Sequence, residues 1–527
     1  MTRPQPDDVI EKPPFFPDSP PKDPRTLIQE KLLWGRRLIL FLAACMSLRL
    51  LFIAKGPFAL SPDEAYFWGW TRHLDWCYYD MGPMVAWFMA ISTKMFGISE
   101  LGVRLPAVLL SLSGSLFLFR LATDLFESPR VGFGAVVLMN LVPLGAAGSV
   151  IHVYYSEQLF FWILSLFLIR KAVDTGQRRW WYALGTSLGC GLLSHHTFFI
   201  LTFQLFLYLL LSDKGRPWLR RKEPYLAGFM ALAIFSPAFV WNLHHNMVTF
   251  RHAPGQLGRD HSVVRTFLVQ FLGGQLGVIT PLIFLAVLAA LAAAAYRGLK
   301  KKNDAWLFLF ATSAPLLLYV SCISFGGRVE ANWPASAYVS GFIAVSALFY
   351  LRRTRKIWHT VYATAALSLA LLATLAAHFP RLVDIVYDLP PAKDPTNRLQ
   401  GWRELGQDVS ALRTGMPDSF LCALDYGLAG ELGFYTQGQP HAYCLPVSYR
   451  QSQYSFSNIN REIGRDAIYV KIGRDPVEAR VRDLFESVGP PSERVILKGD
   501  GPQVRWVFSI YRCKGFKGFF GKLPDKY

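Results

Sequence analysis

Residues 38–70 read LILFLAACMSLRLLFIAKGPFALSPDEAYFWGW. The first part, 38–54, is an apolar run long enough for a membrane span. Shortly after it come two adjacent carboxylates, Asp63 and Glu64, and the aromatics Tyr66, Phe67, Trp68 and Trp70. Further apolar runs lie near 106–123, 131–149, 158–174, 180–194, 197–212, 225–243, 266–296, 305–325, 333–350 and 358–378. Together they predict an α-helical polytopic membrane protein with about eleven spans. Composition agrees: of 527 residues 52% are hydrophobic and only 17% charged, which excludes an ordinary soluble multi-domain protein.

Around these spans the chain divides into three parts. Residues 1–34, rich in proline and charge, are expected to form a flexible cytoplasmic tail, and 35–379 the membrane domain. Within it, 55–105 is too long for a turn, and its aromatic content predicts short helices in the membrane interface. Residues 380–527 mix helical patterns (RLQGWRELGQDVSALR, PVEARVRDLFESV) with strand-like runs (DSFLCAL, DAIYVKI, ERVILKG, VRWVFSIYRC). A compact α/β domain is expected there. Its GLAGELG lacks the spacing of a dinucleotide fingerprint and is assigned no cofactor.

Lys and Arg cluster in alternate loops, at Arg36 and Arg37, Arg170 to Arg179, Lys214 to Lys222, Arg297 to Lys302 and Arg352 to Lys356. Cationic loops stay in the cytoplasm, so the other loops and the tail beyond 380 are expected to face outward from the plasma (inner) membrane. The net charge of +18 then reflects topology and anionic lipid, and no nucleic-acid motif is present. Of seven cysteines, Cys422, Cys444 and Cys513 fall in the exported tail. One pair could form a disulfide there, and spacing does not choose which.

This topology sorts the polar residues near span ends onto one surface: Asp63, Glu64, Glu157, His195, His196, His244, His245, Arg251, His252, Arg328 and Glu330. Each has an ordinary explanation. A carboxylate opening a helix caps free amides, a histidine at the interface is solvated, and an arginine snorkels. Glu100 and Arg104 are spaced for an i, i+4 ion pair. The Asp63–Glu64 pair resists such readings, because a second buried carboxylate beside the first adds repulsion to desolvation.

The order of SPDEAYFWGW, LDWCYYDMGPMVAW, ELGVRLPAVL, SEQLFFWILSLFL, SPAFVWNLHHNMVTFRH and RVEANWPASAY resembles the ArnT/PMT-like GT-C glycosyltransferases, over roughly 35–350. The resemblance implies a GT-C fold, a polyprenyl-phosphate monosaccharide donor in the outer leaflet, and catalysis by the acidic residue after the first span, here Asp63. The chain departs from that pattern with Glu157 where relatives carry Asp and His195 where Lys is common.

Chemistry supports the same assignment. A glycosyl phosphate carries its own leaving group, so transfer needs a base for the acceptor hydroxyl and a cation for the departing phosphate, and a single in-line attack inverts the anomeric centre. Asp63 is the expected base, with Glu64 and Glu157 beside it as catalytic residues. Arg328, Glu330, Arg104, His195, His196 and His245 are the expected donor-phosphate and substrate contacts. One alternative has Asp63, Glu64 and Glu157 ligating Mg²⁺ or Mn²⁺. Another is a transporter, which would place ionisable groups at the bilayer midplane. The acceptor remains open among glycolipids such as lipid A, polysaccharide and protein.

Overall fold

The computed structural model describes residues 24–255, 264–327, 329–352, 356–384, 389–394, 396–499 and 501–523. The first helix, α1 (Pro24–Lys55), starts well before residue 34, so part of the expected flexible tail is helical. Two short helices follow, α2 (Pro62–Trp70) and α3 (Met84–Phe96), in the segment expected to hold interfacial helices. The bundle continues with α4 (Glu100–Phe126), α5 (Pro129–Leu141), α6 (Pro143–Gly148), α7 (Tyr155–Thr175), α8 (Arg178–Ser194) and α9 (Phe198–Leu211). After it come α10 (Glu223–His244), α11 (Val248–Gly255), α12 (Val264–Val278), α13 (Pro281–Ala295), α14 (Asp304–Ala311), α15 (Ala314–Ile323), α16 (Ala335–Tyr350) and α17 (Ile357–His378). Among the described residues six helical segments are long and apolar enough to cross a membrane, with five shorter apolar helices beside them.

The interior of the bundle is a continuous apolar core including Trp162, Trp181, Phe198, Tyr208 and Phe308. Some of its polar exceptions are paired, while Gln204 is buried with neither its amide nitrogen nor its oxygen hydrogen-bonded among the described residues. At the end of the bundle carrying the basic loops, Arg170 donates to both oxygens of Asp174, one turn away, and to Asp304 Oδ2 at 2.5 Å and Tyr208 Oη at 2.5 Å.

Beyond a short α18 (Pro380–Asp384), the tail forms α19 (Trp402–Thr414), α20 (Tyr426–Tyr435), α21 (Ala479–Arg482) and six strands. The strands are β1 (Phe420–Ala423), β2 (Ala442–Cys444), β3 (Ala467–Ile472), β4 (Phe485–Val488), β5 (Ser492–Leu497) and β6 (Val504–Phe516). Their order is β2-β1-β3-β6-β4, with β5 also on β6. Strands β2, β1 and β3 run parallel, with Ala423 opposite Cys444, and β6 is antiparallel to β3. The four strand-like runs of the sequence are β1, β3, β5 and β6. PVEARVRDLFESV departs from its helical pattern: after the single turn of α21 it becomes β4, because Phe485 packs into the sheet core. Cys422, Cys444 and Cys513 are buried free thiols, Cys422 and Cys513 in that core and Cys444 in the other core of the sheet domain, so none of the possible pairs is joined.

The tail is clamped onto the bundle. Tyr435 donates to Glu100 Oε1 at 2.6 Å and accepts from Leu60 N, while Arg403 bridges to both oxygens of Glu100. Gln453 N donates to Tyr66 Oη at 2.7 Å, and its side chain accepts from Tyr79 N. The GLAGELG stretch is the packing face of α20. A Cβ on Gly430 would lie 2.7 Å from Tyr66 N, and one on Gly427 2.5 Å from the Pro62 side chain, so only glycine lets α20 lie this close to α2.

Candidate active site

Asp63 and Glu64 both stand in the first turn of α2. Ser61, Pro62 and Glu64 start α2: Glu64 N donates to Ser61 Oγ at 3.2 Å and Ser61 N to Glu64 Oε2 at 2.8 Å, a reciprocal cap with proline in the first turn. Neighbouring helical positions point about 100° apart. The two carboxylates therefore enter different surroundings.

Glu64 faces inward and is fully committed. Arg104 of α4 donates to both of its oxygens at 2.9 Å, and His152 N donates to Oε1 at 3.0 Å. Burial alone would raise this carboxyl, but Arg104 and the two backbone amides outweigh it and hold it below the usual range. Arg104 also donates to the carbonyls of Phe58 and Ala59. Its expected partner, Glu100, pairs instead with Arg403 and Tyr435. The i, i+4 geometry was available, but each charge finds a partner brought by another element.

Glu157, in the first turn of α7, is also buried and accepts from His152 Nε2 at 2.6 Å, while His152 Nδ1 lies 2.6 Å from Val103 O. A carbonyl can only accept, so Nδ1 carries a proton, and a second proton is shared between Nε2 and the Glu157 carboxyl. Burial opposes a charge on His152, yet Glu157 beside it wins and the net shift is upward. Arg104, Glu64, His152 and Glu157 form a charge-balanced buried network, all with 2% exposure or less. It ties α2, α4 and the loop before α7 together, and takes Glu64, Glu157 and Arg104 out of the open part of the site.

Asp63 differs in every respect. It is partly exposed. Its Oδ1 accepts from Tyr426 Oη of the tail at 2.9 Å, and its Oδ2 accepts no hydrogen bond among the described residues. Burial raises its proton affinity, opposed by Arg398, the Tyr426 hydrogen bond and Arg450, and reinforced by Asp80. Tyr66 packs edge-on to Tyr426 at 4.6 Å and donates to Asp80 Oδ2 at 2.6 Å. The charges of Asp63 and Glu330 both act on Tyr154, whose phenol is pushed up to about 12 chiefly by burial. His195 stacks on Tyr154 at 4.7 Å and 14°, with His196 against it at 3.9 Å. Asp63, Tyr154, His195, His196 and Glu330 thus share one region where the bundle meets the tail.

Three expectations are revised by this geometry. Burial and the adjacent His196 push the His195 imidazole far down, so it is neutral at pH 7 and supplies no positive charge to a phosphate. His245 lies apart, stacked on Trp241 at 3.8 Å and edge-on to Phe456 of the tail. Asp63, Glu64 and Glu157 do not converge on a shared point: their committed oxygens go to Tyr426, Arg104 and His152, and no group of three such ligands is assembled among the described residues. This donor set does not fit the Mg²⁺ or Mn²⁺ site. Arg328 lies outside the described residues.

Sequence reading missed Tyr426, Arg450, Asp80, Tyr154 and His152. The S-P-x-E cap and the glycines at 427 and 430 were usable signals for α2 and for the close approach of α20. Nothing local marked Tyr426 as the partner of a residue 363 positions away.

Comparison with known proteins agrees with this architecture. The sequence model of the dolichyl-phosphate-mannose-protein mannosyltransferase family matches residues 80–241. The lipid A galacturonosyltransferase RgtD of Rhizobium johnstonii is 27% identical over 384 residues, covering 71% of this chain and 77% of that protein. ArnT from Cupriavidus metallidurans bound to undecaprenyl phosphate shares the fold with a TM-score of 0.61 at 16% identity, over 90% of this chain and 98% of that one. The Archaeoglobus fulgidus oligosaccharyltransferase shares it with a TM-score of 0.50 at 12% identity, over 82% and 69%. These proteins are transferases, which disfavours the transporter alternative. From these matches, the chain has the GT-C fold and is similar in sequence to ArnT/PMT-like glycosyltransferases.

Proposed function

We propose that this enzyme transfers a sugar from a polyprenyl-phosphate donor to a hydroxyl of a lipid A-type glycolipid at the extracytoplasmic face of the inner membrane, with Asp63 as the base. The donor class is supported by the ArnT relative bound to undecaprenyl phosphate, and the acceptor class by the lipid A galacturonosyltransferase. Sidedness is supported by the basic loops, such as 214–222 and 297–302, lying at the opposite ends of their helices from the tail.

The observation that carries the reading is the state of Asp63. One oxygen is anchored by Tyr426 and the other is uncommitted, on a carboxyl whose proton affinity is raised above that of a free aspartate. An acceptor O–H can donate to Oδ2 and give up its proton as its oxygen attacks the anomeric carbon. The bond to the phosphate oxygen breaks as the new glycosidic bond forms, and the phosphate leaves as an anion without protonation. The anchored geometry fixes the attack direction, and the partial burial keeps competing water away.

Asp63→Asn preserves shape and removes basicity. In liposomes containing a polyprenyl-phosphate sugar and a lipid A acceptor, turnover should fall by about 10²- to 10⁴-fold with donor binding retained. Near-normal turnover in that variant would reject Asp63 as the base. Sidedness is checked separately: an impermeant maleimide should label Tyr449→Cys on intact spheroplasts, since Tyr449 is 66% exposed on the tail. Labelling only in inverted vesicles would reject the extracytoplasmic site.

A further inference from the structure

Arg450 is the most distinctive group at the site that the transfer reaction does not use. It lies in the loop after β2, with its guanidinium carbon 4.4 Å from the centre of the Tyr426 ring. Tyr426 in turn donates to Asp63. Among the described residues Arg450 makes no hydrogen bond and no ion pair, although the charges of Asp80 and Asp425 act on it. It is half-buried. A cation fixed over an aromatic face, with its planar set of N–H donors uncommitted, is well prepared to receive a planar anion in bidentate fashion. The phenol ring on which it lies also carries the hydroxyl that anchors the base. A sugar presented to Asp63 therefore enters a region whose charge includes this guanidinium, which already acts on Asp63.

We infer that Arg450 is a specificity residue that binds the carboxylate of a uronic acid donor. This rests on the proposed transferase reading and deepens it. Asp63, Asp80 and Asp425 make the region acidic, so a donor sugar bearing its own carboxylate is repelled unless a cation faces it, whereas a neutral or amino sugar has no such need. Among the described residues Arg450 is an uncommitted cation held in place near the base by an aromatic face. Arg398 is exposed and adds its charge without a comparable mount. The same guanidinium could instead meet a phosphate on the acceptor, so the shared chemistry is an oxyanion and the two sources must be separated by experiment.

The full-length enzyme in liposomes is assayed with two polyprenyl-phosphate donors, a hexuronate and the corresponding neutral hexose, each with lipid A acceptors that carry or lack phosphate. Arg450→Gln should raise KM for the uronate donor by about 10- to 100-fold, while use of the neutral donor is unchanged or improved. Arg450→Lys should recover part of the loss, having charge without the planar fork. The neutral-donor rate serves as the control for folding. Equal loss with both donors, loss that follows the acceptor's phosphate, or no loss with either would each overturn the inference. Transfer from neither donor by the unaltered chain would instead overturn the parent reading, and this one with it.

Discussion

Tyr426 Oη donates to Asp63 Oδ1 at 2.9 Å across 363 residues of sequence, joining a helix of the sheet domain to the helix that follows the first span. The bond favours the ionised carboxylate, and so opposes the rise that burial imposes on Asp63. Tyr426→Phe should therefore move the acid limb of the kcat/KM profile to higher pH and lower the plateau by about 10-fold. A purely structural loss would lower the profile without moving its limb, so the pH dependence of kcat/KM checks the assignment.

Glu64 should behave oppositely to its neighbour. Glu64→Gln leaves Arg104 buried without its counter-charge, and breaking such a pair costs about 3–5 kcal/mol. The expected outcome is a lower unfolding temperature and poor yield, with the surviving folded enzyme retaining the wild-type pH limb. Thermal unfolding in detergent, set beside the pH profile, separates this from Asp63→Asn.

Gly430 tests the docking of the tail. Gly430→Ala places a methyl against the backbone at Tyr66 N and Ala65 C, 2.7 and 2.9 Å from the new Cβ, and neither neighbour is a flexible side chain that can swing away. The helix α20 must lift and carry Tyr426 from Asp63. Activity should fall and the pH limb move as in Tyr426→Phe, while the sheet keeps its fold and Cys422, Cys444 and Cys513 stay unreactive toward a thiol reagent.

Glu431 offers a test of sign. It is buried in α20, and neither of its oxygens is hydrogen-bonded among the described residues. Burial, and then the charge of Glu64, push its carboxyl well above the ordinary range; Arg104 opposes and Glu100 and Asp63 add to the rise. Its proton is therefore held more tightly folded than unfolded. That contribution is complete below the ordinary carboxyl range, about pH 4, and is lost as pH climbs toward the raised value. Glu431→Gln keeps a neutral side chain at every pH. Its unfolding temperature should increasingly exceed that of the wild type as pH rises from 5 to 8, which a melting series checks.

What the sequence made legible follows from which forces are local. A bilayer demands long apolar runs, so α1, α4, α10 and α17 stand out, and alternating β-branched and aromatic residues mark β3 and β6. Strands as short as β2 and β4 are set by their neighbours in the sheet and carry little pattern of their own. The site was half legible. An acidic residue after the first span was visible, but its division of labour with Glu64 depends on Arg104 choosing Glu64 over Glu100, and sequence spacing favours the wrong partner. His152 was hidden for a related reason. It looks like any interfacial histidine until Val103 O and Glu157 are placed on either side of it.

The two loops that reach α2 leave the carboxyl ends of neighbouring parallel strands: β1 leads into Asp425 and Tyr426, and β2 into Arg450 and Gln453. That edge is where an open α/β sheet ordinarily cups a small ligand. Here the occupant is a piece of the enzyme's own helical bundle, so the tail acts as a receptor whose permanent guest is helix α2. Residues 424–426 and 445–454 can therefore vary around α2 while the strands beneath them and the helices below α2 stay unchanged.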